Sequence, residues 1–322
     1  MSADTARPGS RPPRDGPHAR VRRLRARVRH LRARARRVGA GTRARLSATD
    51  LTLCSAGATL FGALAVVPAL LAAIALAGLF IGRDDVRRYG RALAGTLPTA
   101  MGAGSAAGRL VDAGLALSPS GVVLALALGT AYGDGLSRAF VRVSPAAADV
   151  EPPDRPPIWY LRAATLPLLG LAPLMLTGLL VCTPALARIN DRSGLLGVLL
   201  ASYLSLTLVW VLTWLPLTWT FRVVGGHARS RLRWRSAFGG AVVTGAFVSG
   251  FLQGFLLFLS LPVDLARPFG GLAGVGVACA LLLWLWVLHA AVLVGYAFTR
   301  AVDAEVTRAV DAEVTRAGEE RG

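Results

Sequence analysis

Six long apolar stretches, separated by short connections that carry arginine, constrain this chain more than any other feature. Four of them hold at most one strongly polar side chain over 20 or more positions. That length crosses about 30 Å of hydrocarbon at about 1.5 Å per residue. Helices of soluble proteins usually retain a polar face, so the sequence predicts an all-α integral membrane protein, a bundle with about six transmembrane helices. The stretches comprise residues 51–81, 120–136, 161–187, 195–221, 237–261 and 272–298.

The composition agrees with a membrane protein and suggests three segments. Hydrophobic residues make up 54% of the chain and charged residues 17%, and the apolar runs are continuous, whereas a β-barrel would show alternation. We expect residues 1–45 to form an Arg-rich cytoplasmic tail with a short basic amphipathic helix. Residues 46–300 form the predicted six-helix transmembrane domain. Residues 301–322 form a second cytoplasmic tail that contains an eight-residue duplication, AVDAEVTR, which extends the last helix.

The N-terminal tail contains 15 arginines and only two acidic residues. Between positions 21 and 38, apolar residues recur at alternating spacings of three and four, which predicts a helix with a narrow apolar stripe. Such a helix can lie on an anionic leaflet, set the topology or bind nucleic acid. The sequence argues against nucleic acid because no aromatic residue is interleaved for base stacking. The predicted partners are therefore anionic lipid headgroups, contacted by Arg22, Arg23, Arg25, Arg27, Arg29, Arg32, Arg34, Arg36 and Arg37.

The distribution of arginine also predicts the orientation. A tail this basic stays in the cytoplasm, and six crossings place the C-terminus on the same side. The connections 138–155 and 222–235, which are arginine-rich, then fall inside, while the shorter connections 188–192 and 262–269 fall outside. We therefore predict a multi-pass protein of the bacterial inner (plasma) membrane with both termini in the cytoplasm.

The connection 83–118 does not follow this rule, because it carries five arginines and is predicted to lie outside. Val86, Tyr89, Leu93 and Leu97 recur at helical spacing before a run of small residues. This pattern fits an amphipathic connector, or an interfacial helix leading into a tightly packed or re-entrant segment.

Polar residues within the apolar stretches are the candidate functional residues, because such groups are costly in lipid. Asp134 and Arg138 are spaced for an i, i+4 pair, which is either functional or an interfacial ion pair. Gln253 and His289 are either functional or form interhelical hydrogen bonds.

No catalytic or cofactor-binding motif is present. The chain lacks HExxH, CxxC, GxSxG and Walker-type sequences, and no glutamate falls in an apolar stretch. Cys54, Cys182 and Cys279 each sit in a separate stretch and are interpreted as small hydrophobic residues. We therefore expect a protein that is not an enzyme and that has no catalytic residues, metal or cofactor.

Small residues spaced by four predict close helix packing. Ala246, Gly250 and Gly254 form such a row in the fifth stretch. Gly270 and Gly274 repeat this spacing at the start of the sixth stretch, and Ala58 and Gly62 in the first.

Several segments resemble the YihY/BrkB family of membrane proteins, which has also carried the label ribonuclease BN. LTWTFRVVGG, RWRSAFGGAVVTGAFVSGFL and PFGGLAGVGVACALLLWLWVLHAAVLVGYAF carry the resemblance, with weaker similarity in GATLFGALAVVPALLAAIAL and AYGDGLSRAF. Together they span about residues 45–300. One departure is that the family usually has an acidic residue just after the glycine of the final helix, whereas here Gly295 is followed by Tyr296.

The resemblance implies a six-helix inner-membrane protein that contributes to envelope integrity or handles lipid. Neither metal ligands nor an acid/base pair supports the ribonuclease label. The alternative is a secondary transporter of a polar solute, which would need charged residues near the bilayer midplane. The scarcity of such residues favours lipid handling. A homo-oligomer, the substrate and the direction of transport are left open by the sequence.

Overall fold

The computed structural model describes residues 17–95, 97, 102–144, 157–192, 194–226, 231–261 and 263–319. These residues form nine α-helices and no β-strand, which confirms the all-α prediction. The π-helical turn Thr220–Val224 extends α7, and the 3₁₀ turn Arg267–Phe269 precedes α9. The helices are α1 (Pro17–Ser47), α2 (Leu51–Ile81), α3 (Arg83–Gly95), α4 (Ala103–Leu115), α5 (Pro119–Val143), α6 (Ile158–Arg192), α7 (Gly194–Trp219), α8 (Trp234–Ser260) and α9 (Ala273–Glu319).

Among the described residues, five helices are long and apolar enough to cross a membrane by themselves, namely α2, α6, α7, α8 and α9. A sixth span is obtained when α4 and α5, which meet at a bend of 119°, are counted together. The polar residues in the second half of α5, such as Asp134 and Arg138, lower the hydropathy of that helix. The structure thus supports five to six spans, in agreement with the prediction of about six.

The surface of the bundle is apolar over much of its area. Leu64 and Leu79 of α2, Leu195 of α7 and Phe247 of α8 are each more than 60% exposed. In water such a surface would promote aggregation, whereas hydrocarbon solvates it well.

Capping residues explain where two of the helices begin. The backbone N–H of Leu53 donates to the Asp50 carboxylate (2.9 Å) at the start of α2. The N–H of Gly121 donates to the Ser118 hydroxyl (3.1 Å) at the start of α5, where Pro119 occupies the first helical position. Both arrangements satisfy a backbone donor that the helix itself leaves unpaired.

Helix α2 lies at the centre of the fold and packs on α5, α6 and α9. Just before α2 begins, the Thr49 hydroxyl donates to the backbone carbonyl of Arg142, near the end of α5, whereas Gly129, earlier in α5, lies against Ala69 near the middle of α2. The two helices are therefore antiparallel. Two packed cores lie toward opposite ends of α2, and each contains a different part of it.

The core nearer the start of α2, here called the aromatic core, is formed around Tyr296 of α9. This ring is fully buried and lies 4.3 Å from the Phe140 ring and 5.6 Å from the Phe221 ring, between centroids. The Tyr296 hydroxyl donates to the carbonyl of Gly225 (2.5 Å), which ties α9 to the end of the π-helical turn. Ala58 of α2 belongs to the same core.

The core at the other end of α2 is formed with α3 and α4. Ile74 and Ala77 of α2 pack with Val86 of α3 and with Val111 and Leu115 of α4. The connection 83–118 therefore contains two amphipathic helices rather than one.

Two glycines of this connection are tightly packed, Gly104 within the run of small residues and Gly114 beyond it, whereas a Cβ on Gly108 would meet nothing within 4 Å. A Cβ on Gly104 would lie 2.6 Å from the carbonyl oxygen of Ala94, and one on Gly114 would lie 2.7 Å from Ile74. Glycine is therefore needed at both positions for the helices to approach.

The predicted rows of small residues are only partly correct. A Cβ on Gly62 would lie 2.9 Å from the His289 ring, and Ala58 is fully buried, so this row does form a contact. The other rows form no close contact: Cβ atoms on Gly250, Gly270 and Gly274 would meet nothing within 4 Å, and one on Gly254 would only reach the Trp284 ring of α9 at 3.9 Å. The spacing identifies a smooth helix face but not whether another helix lies against it.

Close approach in α8 occurs instead at two glycines outside the predicted row. A Cβ on Gly240 would lie 1.9 Å from Thr299 Oγ1 of α9. One on Gly245 would lie 2.7 Å from Thr213 Oγ1 of α7.

Residues 188–192, predicted as an outer connection, lie between the candidate spans Ile158–Leu179 and Gly194–Val224 but are helical, because α6 continues through Arg192. The alanines and arginines in the last two turns of α6 favour helix. Helix α7 begins at Gly194, where φ is +54°, a conformation that glycine adopts readily. The predicted connections 138–155 and 222–235 lie partly outside the described residues. The first sixteen residues of the tail lie wholly outside them.

Candidate functional site

His289 joins three helices near the middle of the bundle. Its Nδ1 lies 2.7 Å from the carbonyl oxygen of Leu285 and 3.2 Å from Thr59 Oγ1, and its Nε2 lies 3.0 Å from the Tyr132 hydroxyl. Because a carbonyl only accepts, Nδ1 carries the proton, and Nε2 accepts from Tyr132. Thr59 in turn donates to the Ser55 carbonyl (2.7 Å). The interhelical hydrogen bonds predicted for His289 are therefore present.

His289 and Tyr132 provide the polar side chains at the wall of an otherwise apolar cavity, here called the chamber. Its volume is about 510 Å³, within the range of small-molecule sites. Helices α2, α5, α6, α8 and α9 enclose it, and small residues form much of the wall. On α2 these are Gly62, Ala65, Ala69 and Ala73.

A second cavity of about 370 Å³ adjoins the chamber, and Leu70, Leu176 and Leu252 line both. It extends toward α3 and α4 and contains Gln253. The Gln253 amide donates to the Ser205 hydroxyl (3.4 Å), so the predicted hydrogen bond between α8 and α7 is present. His289 and Gln253 thus line neighbouring parts of one apolar space.

Asp134 and Arg138 form the predicted ion pair, nearer the start of α2. Nε and Nη2 of Arg138 lie 3.1 Å and 2.7 Å from Asp134 Oδ2. Asp134 is only 7% exposed, whereas the Arg138 side chain is 54% exposed, so the carboxylate is covered and the guanidinium reaches the surface. The guanidinium carbon also lies 5.8 Å from the centroid of the Phe61 ring, in a cation–π arrangement.

Arg138 opens onto a third cavity, here called the arginine pocket, with a volume of about 280 Å³. Arg142, one turn along α5, lines the same pocket, together with Asp50 and Phe61 of the opposite wall. Ala58 of the pocket lies one turn before Gly62 of the chamber on α2, so the two cavities lie one turn apart along this helix, and the Phe61 ring packs on Gly135 of α5 between them.

The Arg-rich helix α1 packs against the C-terminal part of α9. A Cβ on Gly41 would lie 3.4 Å from the Ala301 Cβ. Arg37 Nε donates to Glu305 Oε1 (2.7 Å), and Arg308 lies 3.3 Å from the other oxygen of that carboxylate. The contacts pair lower numbers of α9 with higher numbers of α1, so the two helices are antiparallel.

Neighbouring arginines lower the pKa values of two groups near the contact between α1 and α9. Helix α9 is about 70 Å long at 1.5 Å per residue, so its end beyond residue 300 lies outside the hydrocarbon. There the hydrogen bond from Arg37 lowers the pKa of Glu305 below its ordinary value. Burial and the neighbouring Arg300 lower the pKa of Arg45, whose guanidinium donates to the Ser144 carbonyl.

The other predicted lipid-contacting arginines are mostly exposed on α1. Arg25, Arg27, Arg29, Arg32 and Arg36 are exposed, and Arg34 is half-buried. The side chains of Arg22 and Arg23 lie outside the described part of the chain. Sequence reasoning missed Glu305 as a partner for α1, although the acidic residues of the duplicated segment are the matching signal.

Two further features were missed. Tyr132 gave no signal, because a lone tyrosine in an apolar stretch is ordinary. The chamber wall could have been found, since Gly62, Ala65, Ala69 and Ala73 recur at helical spacing. Within the described residues, no group of three or more His, Cys, Asp or Glu side chains could hold a metal ion.

Comparison with known proteins gives one match. A family model described as "Virulence factor BrkB" matches residues 42–319, which is most of the chain and includes the duplicated C-terminal segment. The resemblance drawn from sequence motifs had left that segment out. No curated protein and no solved structure matches.

Proposed function

Since the chain belongs to the BrkB family of membrane proteins, we propose that it is a lipid-handling protein of the plasma membrane that contributes to envelope integrity. The observation that carries this proposal is the chamber. It is apolar, it is lined by five helices of the bundle, and Ala65, Ala69 and Ala73 on its α2 side are small.

The polar groups at the chamber wall suit an apolar ligand. His289 is hydrogen-bonded on both ring nitrogens by protein atoms, so it requires no ligand atom to satisfy it. A polar solute would need hydrogen-bond partners that leucine and alanine cannot supply. An acyl chain needs only contact, and the adjoining second cavity gives it length.

Retained lipid is the direct test. Protein purified in a mild detergent should carry phospholipid or a lipid-like molecule, measured by native mass spectrometry and by analysis of extracted lipids. Ala172→Phe places a ring in the chamber and should lower the retained lipid several-fold. Ala163→Phe is the matched control, since Ala163 lies on the same helix but is exposed and outside the cavities.

If the purified protein is free of lipid and binds a polar solute tightly, the secondary-transporter alternative replaces this proposal. Envelope integrity is tested in cells that lack the gene. Sensitivity to detergent should be restored to normal by the wild-type chain and by Ala163→Phe, but not by Ala172→Phe.

The predicted orientation belongs to the same proposal. With α1 and the end of α9 in the cytoplasm, the arginine pocket faces the inner leaflet. Labelling of single cysteines introduced at Ala40 and Gly318 with an impermeant reagent should then require broken cells.

A further inference from the structure

The arginine pocket combines a charged rim with a neighbouring apolar interior. Arg138 and Arg142 lie one turn apart on α5 and line the same pocket. The chamber begins one helical turn further along the same two helices, since Ala58 of the pocket precedes Gly62 of the chamber on α2, and Tyr132 of the chamber precedes Gly135 of the pocket on α5. A charged site next to an apolar one matches the two parts of an amphiphile.

The charges of the pocket favour an anion. Asp134 engages Nε and Nη2 of Arg138, and a guanidinium has five N–H donors, so donors of Arg138 remain beyond this pair. The Arg142 side chain is exposed at the rim. Asp50, the acid that also lines the pocket, accepts the N–H of Leu53 as the cap of α2.

Geometry supports a phosphate in particular. Guanidinium groups present N–H donors in a planar fork that matches the oxygens of phosphate. The pair with Asp134 and the Phe61 ring hold the Arg138 side chain in place, which reduces the loss of side-chain entropy on binding.

We propose that the arginine pocket binds the phosphate group of an amphiphile whose acyl chain lies in the chamber. This inference rests on the proposed lipid-handling function and adds the headgroup chemistry. Its ligand class is a phosphate-bearing lipid, and Arg138 and Arg142 are the residues that select it.

Three probes separate the parts of this proposal. Dioctanoyl phosphatidic acid has chains and phosphate, dioctanoylglycerol has the same chains alone, and glycerol 3-phosphate has the phosphate alone. Binding of each to the full-length protein in detergent is measured by native mass spectrometry. The wild-type protein should bind the phosphatidic acid at least tenfold more tightly than either of the other probes.

The decisive variant is Arg142→Gln, because this side chain is exposed and its loss should leave folding intact. It should lower affinity for the phosphatidic acid about tenfold and leave that for dioctanoylglycerol unchanged. Arg162→Gln is the control, since Arg162 is an exposed arginine of α6 outside the pocket. Arg138→Lys is a second variant that keeps a charge beside Asp134 while removing the planar fork.

Each outcome has one meaning. Equal binding of phosphatidic acid and dioctanoylglycerol, or equal effects of Arg142→Gln and Arg162→Gln, overturns the headgroup site while leaving the lipid-handling function standing. Glycerol 3-phosphate binding as tightly as phosphatidic acid makes this a site for free phosphate, which also overturns the proposal. Failure of both lipids to bind contradicts the proposed function itself.

Discussion

The aromatic core and the chamber share helices α2, α5, α8 and α9 and are both apolar, yet one is filled and the other is open. In the core, Ala58 of α2 is fully buried in one cluster with the large rings of Tyr296 and Phe140 from neighbouring helices. At the chamber, Gly62 of α2 lies against the His289 ring, whereas Ala65, Ala69 and Ala73 border the cavity. Hydrophobicity alone therefore does not predict packing. The size of the opposing side chains decides whether small residues bring helices together or leave a cavity.

The largest effect should come from removing the ring at the centre of the aromatic core. Tyr296→Ala should lower the free energy of unfolding by about 3–5 kcal/mol, because it deletes a buried aromatic side chain. The measurement is unfolding in mixed micelles followed by circular dichroism.

Tyr296→Phe is the matched control for this change. It keeps the ring and loses the hydroxyl, which donates to the Gly225 carbonyl and lies 3.5 Å from the Ser144 hydroxyl, so it should cost about 1 kcal/mol. If Tyr296→Ala costs no more than Tyr296→Phe, the core is not packed as described.

A smaller loss of stability should distinguish tightly packed from open glycine positions on α8. Gly240→Ala should destabilise the protein by about 1–3 kcal/mol, because the new Cβ would lie within 2.7 Å of Thr299 Cβ and Cγ2, and rotating the hydroxyl cannot relieve that contact.

Gly250→Ala provides the comparison, since its Cβ would meet nothing within 4 Å. Alanine is the better helix former, so this change should be neutral or stabilising by up to about 1 kcal/mol. Both variants are measured by the same unfolding assay. If they lower the free energy of unfolding equally, α8 does not have one tightly packed face and one open face.

The sequence anticipated the fold better than the site. Continuous apolar runs such as 51–81 specify spanning helices directly, because length and hydropathy are properties of a single segment. The Asp134–Arg138 pair was equally accessible, since both residues lie on one helix. The contacts of His289 and Glu305 depend on residues more than 150 positions away. The chamber likewise depends on the arrangement of five helices, which no single segment encodes.

The pair formed by α1 and α9 offers a third region, in which an arginine–glutamate ion pair lies beside a contact between small residues. Gly41→Cys and Ala301→Cys should form a disulfide under mild oxidation in a chain without its native cysteines, because the Cβ separation of 3.4 Å is close to that of disulfides. Gly39→Cys with Ala301→Cys should not, as the Gly39 position faces open space. Peptide mass spectrometry reads the result.

Neutralising the ion pair at this contact should have the smallest effect. Glu305→Gln should slow disulfide formation a few-fold, because it removes the ion pair with Arg37, whose own side chain is half exposed. Because the folded-state pKa of Glu305 is lowered, the pair stabilises the contact above the unfolded pKa and is lost as pH falls through the folded one. An unchanged rate would mean that α1 is held by other contacts.

The central claim is that a lipid acyl chain lies inside the bundle, in the chamber. A photoactivatable phospholipid with a diazirine in its acyl chain tests this claim directly. After cross-linking to the purified wild-type protein, mass spectrometry should find labels on the chamber residues Ala65, Ala69 and Ala73 of α2 and Leu169, Ala172 and Leu176 of α6, and Ala172→Phe should abolish them. Labels confined to outward-facing residues such as Leu79 and Leu215, with none in the chamber, would contradict it.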